Sequence, residues 1–464
     1  MAEASAPALS GARARLQRAG DFFATQRHLI AVRDGVVGAL PLVLVGSLFL
    51  LVAQPPLPAL QALVAPYVPA LLVPYRMLGG LIAVYVTFCT AHSLAKRYEL
   101  DPMATGLLAM AAYFIAAFPA PGLAGAGLEP APPWLADALV PRSLGSAPAA
   151  AAPALPVARL GAGGIFAGLA IAIATAEVTR FFVKRNWTIR LPPSAPAVVV
   201  RSFVALVPSL AVIAVAFGVT QVARVDVIRL LEAAAKPLLV AGGSPLAAVA
   251  VVLTDSGLWV LGVHAGAALA TLKPLWETML VQNMEAAVAG VRPLPHIATL
   301  PFYQWWVWQG GSGASLPLAL LLLRARSAQL KGVGRIAILP AVCNINEPIL
   351  FGAPVVMNGA LAVPFFAAPI LSVGVSYLAF HLGWVTPAYL EMPWTLPAPV
   401  GAFLATGGDW RAIALQAANL GMGLAIYWPF VRRYDARLLA REAAPGGAGA
   451  PGPTPSRVPA NPIP

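Results

Sequence analysis

The chain has 464 residues, of which 59% are hydrophobic and 10% charged, and its mean hydropathy is +0.78. A water-soluble protein carries about 25% charged residues, and a chain this long and apolar lacks the polar surface to cover a soluble exterior. Soluble enzymes are thereby excluded, as is disorder through the bulk of the chain, which needs low hydrophobicity. A polytopic all-α membrane protein is expected. The net charge of +12 does not point to nucleic acid, because the basic residues sit between apolar runs. That is the distribution of cytoplasmic loops under the positive-inside rule.

The first long apolar run is 35–53, preceded by Arg13, Arg15, Arg18, Arg27 and Arg33. These charges place residues 1–34 in the cytoplasm, with no cleavable leader expected. Apolar runs at 77–95, 103–120, 158–177 and 203–223 follow, each long enough to cross a hydrocarbon core about 30 Å thick. The Ala/Pro/Gly stretch 121–157 reads as an extracytoplasmic loop of low complexity. Arg180, Lys184, Arg185, Arg190 and Arg201 mark a cytoplasmic loop. Runs near 238–254 and 256–272 precede a mixed, proline-containing region, 273–312. An apolar run at 314–323, a basic loop, an interrupted stretch 336–358, and runs near 360–384 and 412–430 complete the pattern. Arg432, Arg433, Arg437 and Arg441 return the C-terminus to the cytoplasm, so the number of crossings is even, about ten. Residues 435–464 are expected to form a disordered tail.

The two halves differ. Residues 35–223 are regular and read as a scaffold or dimerisation half. Residues 224–434 are interrupted by Pro and Gly, and irregular backbone at membrane depth is tolerated only where it is buried in protein or lines a cavity. Transporters place their substrates at such breaks, which makes this the expected substrate half.

Three segments there could carry chemistry. Asn344-Ile345-Asn346-Glu347-Pro348 sets a carboxylate between amides inside an apolar stretch, where an ionisable side chain is costly. Pro348 disfavours helix at Glu347, putting the carboxylate at a break. The segment 255–266 holds Asp255, Trp259 and His264, the histidine among glycines. With Glu347, an imidazole could hydrogen-bond sugar hydroxyls while Trp259 covers an apolar sugar face; a lone core histidine is the competing reading. Gly310-Gly311-Ser312-Gly313 lacks the Lys-Ser/Thr of a nucleotide loop and reads as a tight re-entrant turn. Asp255 and Glu347 stand out as the carboxylates at membrane depth. Cys89 and Cys343 lie in apolar segments and read as packing residues, and no metal site or cofactor is expected.

The NINEP motif followed by IxFGxPxxxN resembles the membrane permease (enzyme IIC) of the phosphoenolpyruvate-dependent sugar phosphotransferase system, lactose/cellobiose (diacetylchitobiose) family. RHLIAVRDG (27–35), the basic loop 180–208, LWVLGVHAG (258–266), the stretch 310–358 and PWTLPAPVGAFLATGGDWRA (393–412) extend the resemblance over roughly residues 20–435. It implies a homodimer with ten transmembrane helices per subunit and two re-entrant hairpins. It also implies a β-linked disaccharide or β-glucoside as substrate, and a soluble phospho-IIB partner, itself charged by IIA. Carried over residue by residue, it makes His264, Glu347, Asn346, Trp259 and Trp394 the sugar-binding set, with Glu347 a candidate general base. No soluble stretch is long enough for a fused IIA or IIB domain, so the phosphoryl carriers are expected on partners. Two rival readings are a facilitator or sensor of the same fold without phosphoryl coupling, and an ion-coupled symporter, which would need a further carboxylate cluster.

Overall fold

The computed structural model describes residues 26–55, 58–118, 157–189, 192, 197–262, 265–353, 355 and 359–442. The first helix, α1 (Arg27–Ala53), starts within the segment expected to precede the membrane. Gln26 caps it, its side-chain carbonyl accepting the Leu29 amide at 2.6 Å. At 1.5 Å per residue, this helix is about 40 Å long, enough to cross the bilayer and project beyond it.

Helices α2 (Ile82–Arg97), α3 (Pro102–Ala117), α4 (Ile165–Lys184) and α5 (Ala197–Phe217) complete an N-terminal bundle in which α2 packs on α1, α3 and α4. Small residues allow the close approach: Ala91, Ala109 and Ala172 form one buried contact. Asp101 caps α3 by accepting the Ala104 amide at 3.0 Å, and Pro102 occupies the first helical position, where a missing N–H costs nothing. Cys89 packs against α1 at Gly38, where a Cβ would sit 3.1 Å from its sulfur. The expected loop 121–157 lies outside the described residues, apart from Val157.

Helices α6 (Val227–Gly242) and α7 (Pro245–Val260) form a broken pair bent by 74°. Then follow α8 (Lys273–Val288), α9 (Ser315–Leu323), α10 (Ala328–Val342), α11 (Glu347–Gly352), α12 (Gly359–His381), α13 (Ala398–Ala405) and α14 (Trp410–Glu442). Every assigned element among the described residues is helical. By length and apolarity, five stretches could cross a membrane, or six counting the bent pair, fewer than the ten or so expected. The shortfall lies mainly in the C-terminal part. The run 256–272 is split by a turn at Leu261–Gly262, and α9 has 9 residues, spanning about half the bilayer core.

Two further expectations are corrected. The mixed region 273–312 contains α8, because Pro274 sits in the first turn and starts the helix rather than breaking it. The expected tail at 435 is instead the last part of α14, which continues to Glu442. Asp435 and Glu442 hold that extension in place: Asp435 accepts the Arg326 and Ser327 amides at 2.8 Å each, just before α10, and Glu442 accepts the first two amides of α10, Ala328 at 3.3 Å and Gln329 at 3.4 Å.

The C-terminal helices gather around an aromatic core. Trp305, Trp306, Tyr303, Phe302, Phe365 and Tyr427 are among its fully enclosed side chains. Helix α8 joins this group to the N-terminal bundle through contacts with α1, α4 and residues 162–164. Polar contacts cross the same seam: the Glu391 amide donates to Ser47 Oγ at 3.1 Å, and the Ala162 amide to Glu285 Oε1 at 3.2 Å.

Candidate functional site

The three sequence-flagged segments converge on one turn. Residues 303–307 form a π-helical turn, a local widening that recurs at functional sites. Tyr303 stacks on Trp308 with centroids 5.2 Å apart, and Trp276 of α8 lies 5.0 Å from Tyr303. Beyond this aromatic base the chain reverses through Gly310 (φ 79°), Gly311 (φ 104°) and Gly313 (φ 74°) before entering α9. The chain thus turns at Gly310, Gly311 and Ser312. Gly311 is sterically required, since a Cβ there would lie 2.6 Å from Asn346 Cγ.

The NINEP segment bridges α10 and α11, and its two asparagines are committed to holding backbone. Asn344 adopts a left-handed conformation (φ 61°), which Asn tolerates better than most residues. Its side-chain carbonyl accepts the Gly310 amide at 3.0 Å, and its amide donates to the carbonyls of Trp394 at 2.8 Å and Leu396 at 3.0 Å. Asn346 is 5% exposed and donates to the Ser312 carbonyl at 3.1 Å. Glu347, at the start of α11, is exposed, and its carboxylate has no hydrogen-bond or ion-pair partner among the described residues. A rigid bracket thus presents one uncommitted carboxylate.

Helix α7 supplies the third side. Asp255 is 3% exposed, and its Oδ1 accepts the Ser312 hydroxyl at 3.0 Å. Trp259, one turn further on, is 6% exposed and packs in the main core. His264 lies outside the described residues. Trp394 is 54% exposed, and its backbone carbonyl is the one Asn344 holds. The structure thus unites the 310–313 turn, Asn346, Glu347, the Trp394 backbone and the Asp255 end of α7. It leaves the Trp259 ring buried.

Some polar groups were not legible in the sequence. Asp255 is not the only buried carboxylate: Glu277 of α8 is 3% exposed and Glu391 is 6% exposed. Glu277 lies one helical turn beyond Lys273 on α8, and the Glu391 amide is held by Ser47 Oγ of α1. Both lie where α8 and the 385–396 segment meet α1, so they belong to the seam between the two parts of the chain. In the sequence they sit in stretches rich in Pro and mixed polarity, where a glutamate looks like a loop residue. Asn344 likewise gave no sign that it, rather than Glu347, would hold the segment together.

The comparisons with known proteins match this architecture. The sequence profile described as "Phosphotransferase system, EIIC" matches residues 33–369. The chain is 36% identical over 447 residues to the cellobiose-specific EIIC component of the phosphotransferase system of Geobacillus stearothermophilus, covering 92% of this chain and 95% of that one. It is 32% identical over 432 residues to the lichenan permease IIC component of Bacillus subtilis (strain 168), covering 90% and 92%. The crystal structure of the transporter ChbC, the IIC component of the N,N'-diacetylchitobiose-specific phosphotransferase system, superposes with a TM-score of 0.77 at 30% identity, covering 92% of this chain and 98% of that one. These matches favour a transporter of this system over an uncoupled facilitator or sensor, and its members work with IIA and IIB partners. The chain belongs to the EIIC family of the phosphotransferase system, the membrane permeases that carry its sugars.

Proposed function

We propose that this permease carries a β-linked disaccharide or β-glucoside across the bacterial cytoplasmic membrane and presents it to a separate phospho-IIB protein. The observation that carries the site assignment is the contrast within NINEP. Asn344 and Asn346 are engaged with backbone, whereas Glu347 is exposed and unpartnered beside them. A carboxylate held in this way accepts a hydrogen bond from a sugar hydroxyl and can take its proton as that oxygen attacks the phosphoryl group. Trp394 offers an exposed ring on which an apolar sugar face can stack. His264 and Trp259 complete the set, with Trp259 reaching the sugar only after α7 shifts. Asn346 keeps the wall of the site in register.

In this reading residues 35–223 form the homodimer scaffold and residues 224–434 the sugar-carrying part. The same reading has ten spans, shorter helices counting beside the five or six stretches long enough by themselves, with both termini cytoplasmic and the phosphoryl group carried by partners. Transport is a rigid-body shift of the second part against the first. The test is Glu347→Gln in the full-length protein. Binding and uptake of radiolabelled cellobiose are expected to fall by at least a hundredfold, with unchanged thermal stability. Uptake at the wild-type level in that variant would refute the assignment.

A further inference from the structure

Ser312 is the one residue of the 310–313 turn that faces two of the converging segments at once. Its hydroxyl donates to Asp255 Oδ1 on α7 at 3.0 Å, and its carbonyl accepts from Asn346 Nδ2 at 3.1 Å. The chain of contacts therefore runs from α7 through Ser312 to the residue before Glu347. Asp255 is an expensive way to make such a link. It is 3% exposed, and its second oxygen, Oδ2, has no partner among the described residues. A buried carboxylate with an unsatisfied oxygen destabilises the fold relative to an apolar side chain of similar size. The neighbouring Ser256 already ties α7 to α12 through the Phe365 carbonyl at 3.3 Å, so anchoring the helix does not need Asp255.

We propose that Asp255 and Ser312 form a positioning pair that sets where the Glu347 carboxylate stands relative to the bound sugar, and so determines how strictly the site demands the hydroxyl that Glu347 receives. Asp255 acts through Ser312 and touches no sugar, since its carboxylate is enclosed. The inference rests on the assignment of Glu347 to the sugar. The Ser312 hydroxyl is held by an oxygen fixed on α7 and its carbonyl by Asn346, so the turn is tied on both sides by hydrogen bonds. Substituting either partner leaves the Ser312 peptide, and with it Asn346, free to shift. A misplacement of about 1 Å at a recognition group is enough to lose most of its discrimination.

The test measures equilibrium binding of cellobiose and its series of monodeoxy analogues to the full-length protein in lipid nanodiscs. Wild type should bind one analogue at least tenfold more weakly than cellobiose, and Glu347→Gln should erase that difference. Ser312→Ala and Asp255→Leu should each weaken cellobiose about tenfold while leaving that analogue's affinity unchanged. The double variant should be no worse than either single one. Asp255→Asn, whose side-chain oxygen still accepts from Ser312, should retain most of the discrimination. Equal weakening of cellobiose and the analogue, or full discrimination in Ser312→Ala, would overturn the pairing. If Asp255→Leu fails to fold, Ser312→Ala decides the matter. Wild type and Glu347→Gln behaving alike toward every analogue would overturn the Glu347 assignment itself, and the pairing with it.

Discussion

Replacing Asn344 by alanine probes the bracket on which the site depends. Its side chain makes three hydrogen bonds, one to the Gly310 amide and two to the carbonyls of Trp394 and Leu396. Each is worth about 0.5–1.5 kcal/mol net, so alanine should cost about 1.5–4.5 kcal/mol for the three. Alanine also adopts the left-handed conformation less readily than asparagine, adding about 1 kcal/mol at φ 61°. Glycine loses the same bonds without that backbone penalty, so Asn344→Gly should be more stable than Asn344→Ala, the reverse of the usual order at a helical or extended position. The assay is equilibrium unfolding of the full-length protein in mixed micelles by SDS titration, followed by tryptophan fluorescence. An alanine variant within 0.5 kcal/mol of wild type, roughly the lower bound for one such bond, would refute the bracket. So would a glycine variant less stable than the alanine one.

Other consequences follow from the same geometry. Gly311→Ala should displace Asn346, 2.6 Å from the new Cβ, and weaken cellobiose binding at least tenfold; Gly374→Ala, which meets no atom within 4 Å, should leave binding unchanged. Isothermal titration of both variants distinguishes the two outcomes. At Asp435, burial works to raise the carboxyl, but the Arg326 and Ser327 amides outweigh it and hold the group below the ordinary carboxylate range. Its contribution to stability is thus complete above about pH 4 and is lost as pH falls through the lowered value. The stability gap between wild type and Asp435→Asn should narrow on acidification from pH 7 to pH 3, and a gap independent of pH would contradict the anchoring role.

Much of this site is legible in the sequence because charge is scarce. A single carboxylate inside an apolar, Pro-interrupted stretch singles out Glu347, and three glycines around Ser312 announce a turn. The N-terminal bundle is legible for a related reason, since its runs are long and uninterrupted. Legibility fails where tertiary contacts override local pattern. Helix α8 is enclosed on many sides, so its apolar residues show no single stripe, and Pro274 looks like a breaker although it sits where proline starts a helix. Glu277 and Glu391 resemble loop acids until the chain is folded and the seam closes over them. Asn344 and Ser312 owe their roles to partners 34 to 57 positions away in the chain, a separation that no local window contains.

In the proposed mechanism, a sugar bound at Glu347 leaves this permease as a phosphosugar made with a IIB partner. The direct measurement is the fate of radiolabelled cellobiose supplied to the outside of right-side-out vesicles containing the full-length protein, with and without phosphorylated IIB in the lumen. Cellobiose phosphate is predicted to accumulate only when phospho-IIB is present, and not at all in Glu347→Gln. Unmodified cellobiose equilibrating at the same rate whether or not IIB is present would contradict the account.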